Sequence, residues 1–377
     1  MVFIEFNQFV RILTIFFYFR NMHKHNFSPG PATLPKEVFQ QAAEALIDYN
    51  QSGLSIAEIS HRAPEFVQII EEATALVREL YQLPDYFEVL WLPGGASTQL
   101  AVAPMNLLGL KESMAIVDTG FWALRSIDAA RELAQVHVLE SASATNYDRI
   151  PKEWILPADA KYLHVVSNET IEGIQYHEYP QVDIPLVADM TSDFLSKPLQ
   201  LDRFGIIYAS AQKNFGIAGI TCVLVNTKVL PSISDRKVPG IWDYRTHINN
   251  QSLYHTVPTY PVYVALLMLR WIKAQGGLIE MQSQSVAKSS LLYDEIDRNP
   301  LFEGIAVKED RSVMNACFRA ISPEVESQFL EYCSQNDVVG IKGFPTVGGF
   351  RASMYNGMEL ESVQHLVQLM KNFKPSI

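Results

Sequence analysis

Apolar residues fall along the chain in two alternating textures. Short continuous runs bounded by glycine, proline, serine or aspartate read as buried strands, over 87–92, 114–119, 162–166, 185–188, 205–209 and 220–225. Between them, apolar residues recur every three or four positions, the spacing of one helix face. Val38, Ala42, Ala45, Leu46 and Tyr49 mark a helix over 36–49. Val67, Ile70, Thr74, Val77 and Tyr81 mark a second, which Pro84 ends. Another over 261–275 stops at Gly276-Gly277. Strands alternating with helices predict an α/β fold whose mostly parallel sheet is covered on both faces.

The texture changes near residue 283. A long helix to about 297 leads to a strand over 312–320 and a helix over 323–335. Two short strands, over 338–342 and 350–355, and a last helix over 359–373 complete a small α/β domain. The expected organisation is an extension over 1–21, an N-terminal segment over 22–35, a large domain over 36–282 and a small one over 283–377.

Composition narrows the function classes. A chain of 377 residues, 48% apolar and 19% charged, has the balance of a globular protein with a large core. A net charge of −11 argues against non-specific nucleic-acid binding, which needs a basic footprint. Cys222, Cys317 and Cys333 are scattered without metal-ligand spacing and suit a reducing compartment, so no metal and a cytoplasmic location are expected. The apolar run over 12–19 is shorter than the roughly 20 residues that span a bilayer, and no signal-peptide cleavage pattern follows it. No membrane partner is expected.

Two strand ends carry the candidate chemistry. The run over 185–188 ends in Asp189, and the run over 205–209 leads to Ser210-Ala211-Gln212-Lys213-Asn214. In open α/β sheets, ligands bind at the C-terminal ends of the strands. A lysine amine can form a Schiff base with pyridoxal phosphate, and an acid can keep the pyridine nitrogen protonated. The plain alternative is a surface salt bridge, and the pair alone does not exclude it. Gly216 and Gly219 let backbone pass close to a bulky ligand, and Ser210 and Gln212 add polar groups. Pro93-Gly94-Gly95-Ala96-Ser97-Thr98 forms a strand–glycine turn–helix pattern suited to a phosphate, with neither a P-loop nor a dinucleotide fingerprint. His61-Arg62 precedes a helix and, taken alone, reads as a solvated loop.

Asp189-Met190-Thr191-Ser192-Asp193 followed by Ala211-Gln212-Lys213-Asn214 resembles the phosphoserine aminotransferase family, class-V enzymes of fold type I that use pyridoxal 5′-phosphate. The resemblance runs from about Asn26 to the C-terminus. It implies a large domain with a mostly parallel mixed sheet plus a small C-terminal domain. It implies that Lys213 and Asp189 are catalytic, with Asp193 the next candidate for the acid. It places Ala96, Ser97 and Gln212 among the cofactor contacts, stacks Trp122 on the pyridine ring, and gives the 3-oxygen to Thr170 of Asn168-Glu169-Thr170. His255 and Thr256 are implied at the cofactor phosphate of a dimer partner, with His255 standing where the family usually has asparagine.

For substrate, the resemblance implies Ser28, the pair His61-Arg62 reaching a distal anion in the partner's site, and Arg351 on the α-carboxylate, whose planar fork suits that group. It implies a homodimer with shared active sites. Glutamate would be the donor and 3-phosphohydroxypyruvate the acceptor, in serine biosynthesis, with pyridoxine biosynthesis as a further role. One departure stands out. The family carries Gly-His-Arg before its Val-Gly-Gly run, and this chain has Gly343-Phe344-Pro345-Thr346. An aminotransferase of an unphosphorylated 2-oxo acid and a non-catalytic cofactor-binding paralogue are therefore the alternatives. Similar proteins begin just ahead of Asn26-Phe27-Ser28, so Met22 is the expected start of the native chain, with a weak membrane-surface anchor as the competing reading of 1–21.

Overall fold

The computed structural model describes residues 24–230 and 235–376. The extension over 1–21 and the expected start at Met22 lie outside the described residues.

Seven strands form the central sheet: β1 (Phe87–Gly94), β2 (Ser113–Asp118), β3 (Gln135–Ser141), β4 (Ala160–Val166), β5 (Leu186–Asp189), β6 (Phe204–Ser210) and β7 (Gly219–Asn226). Their spatial order is β1-β7-β6-β5-β4-β2-β3. The pairings from β6 through β3 are parallel, whereas β7 runs antiparallel to both its neighbours. The cause is chain length. The connection over 211–218 is shorter than the dozen or so residues a parallel crossover needs.

Successive side chains of a strand point to opposite faces, and β1 feeds two apolar layers accordingly. Val89 and Trp91 join one layer with α1 (Lys36–Ile47), α2 (Pro64–Tyr81) and the later helix Thr259–Ala274. Leu90 and Leu92 join the other, with α3 (Ala96–Leu107) and α4 (Phe121–Arg131). The buried stripe of α2 is Phe66, Ile69, Ile70, Ala73, Leu76, Val77 and Tyr81. Val67 and Thr74, expected at its centre, lie at its edge. The Thr74 hydroxyl there accepts the indole N–H of Trp91 at 3.0 Å. Leu46 is 42% exposed, because α1 ends at Ile47 and the chain turns away.

A third apolar cluster gathers the C-terminal elements. It packs β8 (Phe302–Gly304), β9 (Asn315–Ala320) and β10 (Phe350–Ser353), an antiparallel sheet, against the helices Gly277–Arg298, Pro323–Gln335 and Leu360–Asn372. Two features bear on the expected boundaries. The helix Gly277–Arg298 runs unbroken across 282/283, so no linker marks that point. The segment over 22–35 is not independent either: Phe27 is fully buried in the C-terminal cluster, and His25–Asn26 pairs in parallel with Val338–Val339. Among the described residues, no single helix is long and apolar enough to cross a membrane.

Candidate active site

Because β1 and β6 both run opposite to β7, the C-terminal ends of β1, β2, β4, β5 and β6 share one edge of the sheet. Asp189 ends β5, and Lys213 follows β6 by three residues. Trp122 opens α4 just after β2, Thr170 follows β4, and Ala96 opens α3 after β1. The topology thus gathers loops that are far apart in sequence.

The Asp189 carboxylate is buried, and its Oδ1 accepts the Thr191 backbone N–H at 2.9 Å. Burial raises its pKa, with the nearby Lys213 ammonium acting against the shift. Asp193 is committed elsewhere. Its carboxylate accepts the Ser167 hydroxyl and, at 3.1 Å, the Gln175 side-chain N–H. Of the two acids, Asp189 is the one left facing the site.

Lys213 Nζ lies 5.2 Å from the centroid of the Trp122 ring. Burial lowers the lysine pKa to about 8, the Asp189 charge opposing that shift and the Arg351 guanidinium adding to it. The amine is therefore poised to act as a nucleophile and a base near neutral pH. A β-carbon on Gly30 would come within 3.2 Å of Lys213 Cγ, so the glycine leaves the lysine stem free to swing. The Trp122 indole N–H donates to Thr170 Oγ1 at 3.1 Å, which leaves the threonine O–H free to donate. The Ser210 hydroxyl donates to Gln212 Oε1, and the Gln212 carbonyl accepts the Ala32 N–H at 2.9 Å, tying in the segment that carries Ser28.

Two acids that the sequence reading did not single out hold the Trp122 platform. Glu169 accepts the backbone N–H groups of Trp122 at 3.1 Å and Ala123 at 2.8 Å, and the Thr119 hydroxyl at 3.3 Å. Glu172 accepts the Phe121 N–H at 2.9 Å. Together they occupy the N-terminal N–H groups of α4, where negative charge is favoured. Burial raises the pKa of both; the Glu172 charge adds to the shift on Glu169, whereas the Phe121 N–H and the Arg351 guanidinium oppose the shift on Glu172. Gly120 is required at the turn: with φ +156, a β-carbon would meet the Glu172 carboxyl carbon at 2.6 Å. The signal available in the sequence was Glu169-Thr170 directly after a strand, but the helix it caps lies nearly fifty positions upstream.

Arg351 arrives from β10 across the joint between the two modules. Its Nη1 donates to the Thr170 carbonyl at 3.3 Å, while its buried Nε is without a partner. The guanidinium carbon lies 5.9 Å from the centroid of the Phe344 ring. Phe344 also packs on Phe121 at 5.4 Å between centroids, and Phe121 meets Trp122 edge-on at 5.2 Å. The departure at Phe344-Pro345 therefore places an aromatic wall beside Arg351.

His61, Arg62, His255 and Thr256 form a separate patch. The electrostatic influence of His61 reaches His255, and His255 meets the ring of His247 at 5.4 Å. Both ring nitrogens of His255 and the Nε2 of His61 are buried without a partner. Burial lowers the pKa of both imidazoles, with His247 adding to the shift on His255 and Arg62 to that on His61. Arg62 and Thr256 are exposed.

Comparison with known proteins decides the class. A model of the class-V aminotransferases matches residues 24–366. The chain belongs to the class-V aminotransferase family. It is 45% identical, over 94% of its length and 99% of the relative's, to a phosphoserine aminotransferase of Bacteroides thetaiotaomicron. A solved phosphoserine aminotransferase from Bacillus circulans subsp. alkalophilus superposes with a TM-score of 0.90 at 41% identity, covering 93% of this chain and 98% of that one. A structure of the pyridoxal-phosphate-bound enzyme of Trichomonas vaginalis gives 0.89 at 35% identity, covering 93% of this chain and all of that one. This family member is a pyridoxal-phosphate-dependent transaminase of the α/β fold that the sequence resemblance implied.

The residues present fit that cofactor. Asp189 is a buried acid that gains a cationic partner from a protonated ring nitrogen. No side chain caps the N-terminus of α3 at Gly95, so its first N–H groups are open to a phosphate. A β-carbon on Gly95 would face Ser210 Oγ at 3.6 Å, so the turn lies against the β6 end that carries Lys213.

Proposed function

We propose that this chain moves the amino group of glutamate to 3-phosphohydroxypyruvate, giving 2-oxoglutarate and O-phosphoserine. The reading includes a homodimer with shared active sites and a place in serine biosynthesis in the cytoplasm. The observation that carries it is the placing of Lys213, Asp189 and Trp122 on one sheet edge with Arg351 beside them. The names of the relatives support the acceptor.

The bound cofactor supplies an electrophilic aldehyde and a ring that accepts electrons. Lys213 would hold it and, as a free amine, would carry a proton to and from the substrate Cα. Its lowered pKa keeps a useful fraction neutral for that task. Asp189 keeps the ring nitrogen protonated. Trp122 would fix the ring plane, and Thr170 would donate to the 3-oxygen. Arg351 grips the α-carboxylate of either substrate, with Phe344 shielding one face of its guanidinium from water. Ser28 would contact the substrate. Ala96, Ser97 and Gln212 surround the cofactor phosphate. His255 and Thr256 reach that phosphate across the dimer, and His61 and Arg62 reach the substrate's distal anion.

A second reading keeps the chemistry and changes the acceptor to an unphosphorylated 2-oxo acid. The Phe121–Phe344 wall favours it, because an aromatic face offers a phosphate no donor. The test is spectroscopic. Glutamate added to the cofactor-loaded protein should bleach the visible absorbance of the bound cofactor, and 3-phosphohydroxypyruvate should restore it. Bleaching without restoration by that acid, but with restoration by an unphosphorylated one, would establish the second reading. No bleaching would remove transamination of glutamate.

A further inference from the structure

Lys288 sits in the middle of the helix Gly277–Arg298 and is only 2% exposed. Lysine is almost never so buried unless it is paired. Here the ammonium donates to two backbone carbonyls, Tyr355 O at 2.8 Å and Met358 O at 3.1 Å. Burial is the sole cause acting on its pKa, which falls to about 7. A leucine or methionine would fill the same volume without desolvating an amine. The carbonyls it grips therefore need fixing for another reason.

Those carbonyls belong to the turn over 354–358, which joins β10, the bearer of Arg351, to the last helix. The same turn reaches into the candidate site. The Tyr355 hydroxyl donates to Pro29 O at 2.9 Å and accepts from Asn315 Nδ2 at 3.2 Å. The Asn356 backbone N–H donates to Asn214 Oδ1 at 2.9 Å, and its side-chain N–H donates to Leu195 O at 2.9 Å. Asn214 is the residue after Lys213, and it also donates to the Phe194 carbonyl. Leu195 holds a left-handed φ of +61, unusual for a leucine, and its N–H donates to the Tyr81 hydroxyl at 2.6 Å. Asn356 therefore ties together the segments that follow Asp189 and Lys213. On its other side the turn borders a cavity of about 480 Å³ lined by Lys288, Asn356, Met358 and Trp271. Met354 and Met358 pack the turn into the C-terminal cluster, and the lysine adds a polar anchor at its two carbonyls.

We propose that Lys288 is a positioning residue for the transamination: by gripping the Tyr355 and Met358 carbonyls it sets Asn356, and through Asn214 it sets the pitch of Lys213 against the cofactor. The inference rests on the reading that Lys213 holds the cofactor, and it is independent of which 2-oxo acid is the acceptor. Its effect passes through the backbone of the turn and the Asn214 side chain, so Lys288 itself touches no reacting atom. Placement errors of about 1 Å at a reacting group cost up to roughly a hundredfold in rate, which sets the scale.

The test compares Lys288→Met, Asn214→Ala, which removes the acceptor of the Asn356 N–H, and the double variant, each as the cofactor-loaded protein. Three quantities are read: the titration midpoint of the bound cofactor's visible band, the rate of bleaching by glutamate, and amide exchange in the peptide over 212–216. The methionine variant should shift the midpoint, slow bleaching by on the order of tenfold and speed exchange in that peptide. The double variant should bleach no more slowly than Asn214→Ala alone, because both changes act through the bond between the Asn356 N–H and Asn214 Oδ1. Three results would overturn the proposal: a lowered melting temperature with midpoint and rate unchanged, losses that multiply in the double variant, or exchange at 212–216 left as in the wild type. If Lys288→Met does not accumulate as folded protein, Lys288→Gln, which keeps one donor, is read by the same criteria. Failure of the underlying reading is recognised separately, since the wild type would then show no band that depends on Lys213.

Discussion

Phe344 stands where similar proteins carry a cationic donor pair, and its ring lies on Phe121 and over Arg351. Proline at 345 removes a backbone N–H from the same loop. A hydrogen bond to a charged group contributes roughly 1.5–3 kcal/mol, so the loss should show as substrate affinity and not as chemistry. Phe344→His with Pro345→Arg is expected to lower the KM for 3-phosphohydroxypyruvate by about tenfold. Glutamate kinetics should stay near the wild type, because Arg351 holds the α-carboxylate. Steady-state assays with the two substrates varied in turn would check this, and an unchanged KM would show that the 343–348 loop does not contact the phosphate. The substitution was readable in the sequence; its packing was not, since nothing local predicts that Phe344 meets Phe121 more than two hundred positions away. Lys288 was illegible for the opposite reason. In a stretch rich in serine, glutamine and acids, a lysine reads as solvated, and its burial is visible only once the turn over 354–358 is in place.

At the scale of elements, the strands with continuous apolar runs were legible because both of their faces are buried. β3 was missed, since it lies at the sheet edge with Val138 38% exposed and its sequence QVHVLES offers no unbroken run. The antiparallel direction of β7 follows from a short connection, a feature of spacing that periodicity does not report. The start of α4 is the element that the site depends on most. Glu169 accepts three donors there through both carboxylate oxygens, and its pKa is raised by burial and then by Glu172. Glu169→Ala should destabilise the fold by about 1–3 kcal/mol through unpaired buried N–H groups and weaken cofactor affinity by freeing Trp122. Glu169→Gln keeps the acceptor for Ala123 and Thr119 but sets an amide N–H against that of Trp122, and should lose less of both than Glu169→Ala. Denaturant titration and cofactor titration of the two variants would check the order, and equal losses would mean that acceptor geometry at this cap is unimportant.

At the scale of the whole molecule, the proposed dimer makes a prediction that no monomer satisfies. Lys213 sits at the sheet edge, whereas His61, Arg62, His255 and Thr256 gather in a separate patch with buried imidazole nitrogens unpartnered. A two-fold interface would place that patch at the partner's site. Lys213→Ala and Arg62→Ala should each be severely impaired alone. Mixed under conditions that allow subunits to exchange, they should recover about one quarter of the wild-type rate, because half of the dimers are hybrids with one intact site. No recovery, with exchange confirmed by mass spectrometry, would place Arg62 in its own subunit's site or outside catalysis.

The central claim is that the chain is a transaminase whose acceptor carries a phosphate. It is tested most directly by kcat/KM for 3-phosphohydroxypyruvate against that for hydroxypyruvate, with glutamate as donor and O-phosphoserine or serine as the measured product. The account predicts that the phosphorylated acid is preferred, by a margin that widens when Phe344→His and Pro345→Arg are introduced together. A preference for hydroxypyruvate in the wild type would contradict it.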